Sequence, residues 1–552
     1  MAHDEDSRPW LSLYPPDVPA DVVVTDESLV HAWRTRVAAD PSAPAVRYFD
    51  RSLTAAEVES RSDALAAGLQ DLGVTRGDRV GVYLQNVPAY PLLLLALWKL
   101  GATALVLNPM YRGQELRKLI DDSGACGMVC SDDTVAEVRT TVAGSQVAWI
   151  LSSSALDGQS RDDERAFTSL VRGPASSDGD LMELVDRFAG RRAVEPSLGL
   201  DDVALLAYTS GTTGPAKGAT NTHGNVLAVV RSYAAWLALT PDDVVLAIAP
   251  LFHITGAVIN CTIALLSGAP LVLAHRFQPD VVLEAFAEHA VTFTIGSITA
   301  FNAIYNLPGA GAQHFASVRA LYSGGAPIPP TTVERFQQRF GVYIHNVYGM
   351  TETTSATIAV PLDGHAPVHQ PSGTLSVGVP LPGLRARIVD AMGRPVPQGE
   401  QGELELSGPQ VVPGYWRNPD ATEATMPGGR LRTGDGAIMD EHGWIYLVDR
   451  LKDQINVSGF KVWPREVEDA LYEHPSVHEA AVVGRPDDYQ GESVVAYVSL
   501  KPGRHADPEE LRAFVRERLA PYKCPREVHV VDDLPKTQTG KIRRNVLRDA
   551  GA

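Results

Sequence analysis

Between Ser28 and Gly144 the hydrophobic pattern switches repeatedly between helical spacing and short continuous apolar runs, which narrows the folds open to this chain more than any other feature. Residues 29–37 and 54–72 carry the helical spacing, 79–84 reads as a strand, and 92–100 as an apolar helix. Residues 104–107 and 128–130 read as further short strands, with 116–122 as the crossover between them. Apolar runs of this length suit strands buried on both faces, so the segment predicts a parallel sheet covered by helices. Residues 152–197, rich in Ser, Asp, Gly and Arg, read as a surface excursion from that α/β unit.

The chain has 552 residues, 45% apolar and 21% charged, which is globular composition and too much for one ordinary core. Two or more domains are expected. A net charge of −18 argues against a nucleic-acid partner, whose phosphates call for clustered Lys and Arg. Cys126, Cys130, Cys261 and Cys524 are too few and too irregularly spaced for a disulfide scaffold or a zinc knuckle, so a reducing, cytoplasmic setting is expected. The first 19 residues are acidic and Pro-containing without an apolar core, unlike a signal peptide. The most apolar stretch, 87–100, contains Pro88 and Lys99 and falls short of the ~20 residues a membrane span needs.

An apolar run at 201–207 leads into Tyr208-Thr-Ser-Gly-Thr-Thr-Gly-Pro-Ala-Lys-Gly218. Gly211, Gly214 and Gly218 free the backbone to turn its N–H groups on an anion. Thr209, Ser210, Thr212 and Thr213 add donors, and Lys217 adds a neutralising charge. A surface loop of this composition is equally open on these residues alone. It is not a Walker loop, because Ala216 and Gly218 flank the lysine where that motif has Gly and Ser or Thr. The loop is expected to join a strand to a helix over 226–236 capped by Asn225.

This loop resembles the signature of the adenylate-forming superfamily, which includes acyl- and aryl-CoA synthetases, peptide-synthetase adenylation domains and beetle luciferases. It departs from the pattern in having Ala216 where Pro is usual. Further motifs follow in the family's order, at 250–256, 323–327, 348–353, 432–435, 449–466 and 535–542. The implied fold is α/β. A large N-terminal domain of α/β subdomains with a β-rich subdomain (strands at 402–406 and 411–416) spans residues 1–450, and a small mobile α+β domain spans 451–552.

His253 follows a strand expected at 244–249, and a histidine there is as apt for a structural hydrogen bond as for chemistry; the resemblance puts it beside the carboxylate to be activated. Amino-acid-adenylating domains place Asp after the residue matching Phe252, to neutralise an ammonium, and His253 does not serve that role. The helix expected at 257–266 and the region 293–304 are apolar core with some pocket lining. Ser297-Ile298-Thr299 stands where relatives carry a Val-Pro-Thr-like stretch.

The resemblance assigns Gly325, Ala326 and Pro327 to adenine, Tyr348 and Thr351 to the nucleotide, and Glu352 to Mg²⁺, which needs few protein oxygens. Asp435, otherwise an ordinary turn former, and Arg450 are assigned to the ribose. Lys452 is the hinge, Gly459 and Lys461 face the CoA pantetheine, and Lys541 is the catalytic lysine of the mobile domain. His474 and His478 share i,i+4 spacing, but Pro475 and the lack of a third ligand exclude a metal site.

The implied activity is ATP-, Mg²⁺- and CoA-dependent ligation of a hydrophobic acid: a medium- or long-chain fatty acid, or a bulky aromatic or polycyclic one. Two alternatives stay open at this point, an adenylating enzyme that loads a carrier protein and a nucleotide-binding protein without the chemistry. Monomer and homodimer are both compatible.

Overall fold

A computed structural model describes residues 8–167, 171–209, 216–326, 328–450, 455–457, 460–462, 464–487, 491–536 and 542–549. The large domain is built on two sheets. In the first, strands Trp149–Ser153, Gly127–Ser131, Arg79–Tyr83, Thr103–Val106 and Val203–Thr209 run parallel in that order, and Lys217–Thr222 closes one edge antiparallel. In the second, a parallel centre of Ile344–Met350, Ala320–Gly324, Phe293–Ser297, Val245–Leu246, Leu271–Leu273 and Pro44–Tyr48 is flanked by antiparallel edge strands.

The helix Ala89–Lys99 is buried along its whole length, which explains its lack of a polar face. Its Trp98 indole donates to the Ala204 carbonyl (3.1 Å) in the first sheet. Tyr90 donates to the Leu251 carbonyl (2.5 Å) beyond a strand of the second. One apolar core therefore serves both sheets. Among the described residues no helix is long and apolar enough to cross a membrane, and the four cysteines are free thiols.

A four-stranded antiparallel sheet, Arg385–Val389, Gly402–Ser407, Leu431–Met439 and Ile445–Arg450, forms the β-rich subdomain around its own core. The smaller C-terminal domain has a third core. Ile455–Val457, Val477–Asp487 and Gly491–Leu500 pair antiparallel, Glu527–Val531 adds parallel, and the helices Pro464–Tyr472 and Pro508–Arg516 cover them.

Several local expectations are corrected. Residues 411–416 form no strand: Pro413 has no N–H to give a ladder, and only Tyr415 makes a β-bridge, to Ala219. The strand expected at 244–249 is regular only over Val245–Leu246, although Ala247 and Ala249 still donate to Val272 (3.0 Å) and Ile295 (3.2 Å). The helix at 223–236 is capped by Thr222, with Asn225 closing the capping box from inside the first turn. The expected excursion at 152–197 begins in a buried strand and contains the helix Leu181–Arg187, whose Leu181, Leu184 and Val185 join the main core.

Candidate active site

The two ends of the glycine-rich segment pair in an antiparallel ladder, Thr209 with Lys217 and Tyr208 with Gly218, so a second strand stands between it and the helix at 223–236. Ser210, Gly211, Thr212 and Thr213 lie outside the described residues. The second strand of the hairpin is held from its other side. Trp416 N–H donates to the Gly218 carbonyl (2.7 Å), and Thr220 donates through N–H (3.1 Å) and hydroxyl (2.8 Å) to the Gly414 carbonyl.

The strand Ile344–Met350 runs into the 3₁₀ turn Thr351–Thr353, after which Thr354 and Ser355 adopt φ of 55° and 117°. Two consecutive non-glycine residues in this region store of the order of 1–3 kcal/mol each, so the surroundings must hold them. Thr353 accepts from Met350 N–H (2.9 Å) and donates to the Ser355 carbonyl (2.6 Å), and Thr354 donates to the Gln410 carbonyl (2.9 Å). The return strand passes so close that a Cβ on Gly349 would stand 2.1 Å from the Ser355 carbonyl oxygen. Glycine is required there.

This turn buries Glu352, at 6% exposure, and Tyr415 donates its hydroxyl to Glu352 Oε1 (2.6 Å). The other oxygen takes no hydrogen bond among the described residues. Burial, with the Glu352 carboxylate beside it, pushes the Tyr415 phenol well above its ordinary range, so it stays a donor. Lys217 Nζ lies 5.0 Å from the centroid of the same ring, a cation–π distance. No cluster of three or more metal-ligating side chains occurs among the described residues. A single carboxylate with one oxygen to spare fits Mg²⁺, which keeps most of its waters.

Tyr348, at the end of the same strand, donates to Asp435 Oδ2 (2.6 Å), and Asp435 stands opposite Arg450 in the β-rich sheet. Gly325 and Ala326 leave the neighbouring strand just past the Ser323–Asn346 pair, which brings their turn alongside Tyr348. His253 is exposed and accepts the Thr255 N–H at Nδ1 (3.3 Å). It precedes a π-helical stretch, Gly256–Thr262, in place of the plain helix expected. A Cβ on Gly256 would meet the Pro250 carbonyl oxygen at 2.0 Å, so the wide turn is set by a close backbone approach. Ser297 caps the helix Ile298–Tyr305 by accepting from Ala300 N–H (3.3 Å).

His253, Gly325 and Thr351 each follow the carboxyl end of a parallel strand in one sheet, Ser297 ends another strand of that sheet, and Thr209 ends one in the other sheet. Open α/β sheets bind ligands in the crevice at that edge. A small, partly open pocket lies elsewhere, lined by Val46, Tyr48, Leu53 and Leu92 near the far edge of the second sheet, and contains none of these groups. Side-chain chemistry, not concavity, locates the site.

Pro327, Lys452, Gly459 and Lys541 lie outside the described residues. Arg450 and Lys461 are placed by backbone alone, in Ile445–Arg450 and Phe460–Val462. Arg465 of the small domain donates to the Ile328 carbonyl (3.2 Å), directly beyond the 325–327 turn, and pairs with Asp469 (3.1 Å). Burial pushes the Asp469 carboxyl up to about 6 against the pull of Arg465. Sequence reasoning gave Tyr415 no role. Its signal was a polar-tipped aromatic after Pro413-Gly414 in a segment too broken to be a strand.

The AMP-binding enzyme family matches residues 33–416, and the AMP-binding enzyme C-terminal domain matches 466–541. A long-chain-fatty-acid–CoA ligase of Escherichia coli O6:H1 is 35% identical over 556 aligned positions, covering 98% of both chains. A feruloyl-CoA synthase of an Amycolatopsis species is 36% identical, covering 94% of this chain and 98% of its own. Among solved structures, ATP-bound MatB from Rhodopseudomonas palustris superposes with a TM-score of 0.84 at 28% identity, over 94% of this chain and 98% of that one. The chain therefore belongs to the AMP-binding enzyme family, the adenylate-forming superfamily, and stands within it among the acyl-CoA synthetases.

Proposed function

We propose that the protein ligates a hydrophobic carboxylic acid to CoA in two half-reactions, with ATP consumed to AMP and pyrophosphate. The single observation that carries this reading is the pairing of groups at the strand ends. Tyr415 carries Glu352 at its hydroxyl and Lys217 over its ring, and Tyr348 holds Asp435. In the first half-reaction a carboxylate oxygen of the acid attacks the α-phosphorus of ATP, and the bond to pyrophosphate breaks. Negative charge then spreads over the phosphoryl oxygens, where Lys217, the donors at 209–213, Thr351 and Lys541 stabilise it by preorganised electrostatics. Glu352 would hold Mg²⁺, which when bound neutralises part of that charge. Asp435 accepts the ribose hydroxyls together with Arg450, and the 325–327 turn and Tyr348 enclose the adenine.

The domain boundary falls at residues 450–452, and the small domain turns about Lys452. Lys541 withdraws, and Gly459 and Lys461 come over the site. The CoA sulfur then attacks the acyl carbon and AMP leaves. His253 lies where the acid carboxylate is bound. A medium- or long-chain fatty acid or a bulky apolar acid is the favoured substrate. Val258, Ile259 and Ile263 on the stretch after His253 are fully buried and apolar, and no carboxylate follows Phe252 to meet an ammonium. The names of the relatives agree in kind.

The test is a panel of acids assayed separately for pyrophosphate, acyl-AMP and acyl-CoA, with Lys541→Ala and Gly459→Leu. Lys541→Ala should lose pyrophosphate release yet still convert supplied acyl-AMP, and Gly459→Leu should do the reverse. Equal loss of both half-reactions in each variant refutes the two-pose scheme.

A further inference from the structure

We infer that Tyr415 is a positioning residue that holds Lys217 and Glu352 apart, so that the ammonium stays available to the ATP phosphates and the free carboxylate oxygen to the cation. The inference rests on the functional reading above and adds to it a side chain that belongs to none of the motifs. An ammonium and a carboxylate sharing one partly desolvated corner attract strongly, since at ~4 Å and an effective dielectric near 20 the Coulomb term is already several times that in water. Left alone they would close into an ion pair and neutralise each other. Among the described residues they do not, and Lys217 makes no ion pair with any of these residues.

The tyrosine contacts both. Its ring face carries the Lys217 ammonium at 5.0 Å, and its hydroxyl takes Glu352 Oε1 at 2.6 Å, leaving Oε2. The ring itself is anchored. Tyr415 is buried, its N–H donates to Thr422 Oγ1 (2.9 Å), and its backbone bridges to Ala219, two residues from Lys217. Val412 N–H donates to the Glu352 carbonyl (2.9 Å) in the same run. The segment 412–416 thus fixes the hairpin and the Glu352 turn to one another, and Tyr415 sets the spacing of their charges.

Phenylalanine keeps the ring and loses the hydroxyl, whereas leucine loses both, so the two arms separate. Mn²⁺ binding to the enzyme–ATP complex, followed by the EPR signal of free Mn²⁺, reads the carboxylate arm without reference to turnover. The Kd for ATP without divalent cation reads the lysine arm. Y415F should weaken Mn²⁺ binding about tenfold, the scale of a lost hydrogen bond to a charged group, with that Kd for ATP within about twofold. Y415L should weaken Mn²⁺ binding similarly and also raise the cation-free Kd for ATP about tenfold, towards the value for K217M.

E352Q separates the two readings. If E352Q binds Mn²⁺ as the native protein does, the assignment of Glu352 to the cation fails. If E352Q is weakened and Y415F is not, the role of the hydroxyl is overturned. Equal cation-free Kd values for ATP in Y415F and Y415L overturn the role of the ring, and where Y415L does not fold, Y415M takes its place.

Discussion

Lys99 ends the buried helix of the large domain at 0% exposure, and its removal should be costly in a way that depends on pH. Its ammonium lies 2.8 Å from Glu59 Oε2, 2.6 Å from Asp63 Oδ1 and 2.8 Å from Ser62 Oγ. Lys99→Met keeps the length of the side chain and strips the charge from between two carboxylates. Breaking a buried pair by removing one partner costs ~3–5 kcal/mol. The lower end applies here, because Glu59 keeps Arg34 (3.1 Å) and Trp33 (2.7 Å), and Asp63 keeps Arg192 (2.9 Å). In a domain of about 450 residues, an unfolding entropy near 0.9 kcal/mol per kelvin turns ~3 kcal/mol into a fall of ~3 °C in Tm.

The sign with pH follows from Glu59. Burial opposes its charge, but Lys99, Arg34 and Trp33 outweigh burial and hold its carboxyl below the ordinary range. In the native protein its contribution is present above the unfolded carboxylate pKa and is lost as pH falls through the lower, folded one. Without Lys99 burial weighs more against the Glu59 charge, the folded pKa rises, and protonation relieves the variant on acidification. Thermal unfolding of both proteins should therefore show a gap that is full at neutral pH and narrows towards about pH 5. An unchanged Tm, or a gap that widens on acidification, would refute the charge-balance account.

Gly349→Ala should cost more activity than stability. The new Cβ meets the Ser355 carbonyl oxygen at 2.1 Å and Ala356 Cα at 2.3 Å, both main chain, so Thr351 and Glu352 must move; pyrophosphate exchange should fall ~100-fold for a shift of about 1 Å. His223 is buried with Nδ1 accepting from Leu29 N–H (3.1 Å), and burial lowers its pKa to about 4 against a weaker opposing pull from Asp202. The folded state thus binds fewer protons than the unfolded, and stability falls by ~1.4 kcal/mol per pH unit below the unfolded value of about 6.5. In His223→Asn the curve of Tm against pH should be shallower between these limits.

The helices were legible where their signals are local. The helix expected at 54–72 is Ala55–Asp71, because its aliphatic period and the Thr54–Glu57 capping box lie within a few residues of each other. The strand Lys217–Thr222 was not legible, since Lys-Gly-Ala-Thr-Asn-Thr has no apolar alternation. It is extended because Val203–Thr209 pairs along one side and Gly414 and Trp416 bond the other. Residues 411–416 erred the other way: propensity favoured a strand, and Pro413 with Gly414 broke the ladder.

The site divides along the same line. Each motif supplies a group that could be named from its own neighbourhood: a lysine after a glycine loop, a carboxylate after a Gly-x-Thr turn, an aspartate in a Gly-Asp-Gly bend. What sets these groups in relation to each other is made across the chain, by residues given no role from sequence. Tyr415 spans the hairpin and the Glu352 turn, and Arg465 reaches from the small domain to Ile328 beside the 325–327 turn. Such residues leave no local pattern, because their partners are chosen by the fold. In this chain the candidate site groups are written in segments, while their spacing depends on tertiary contacts between them.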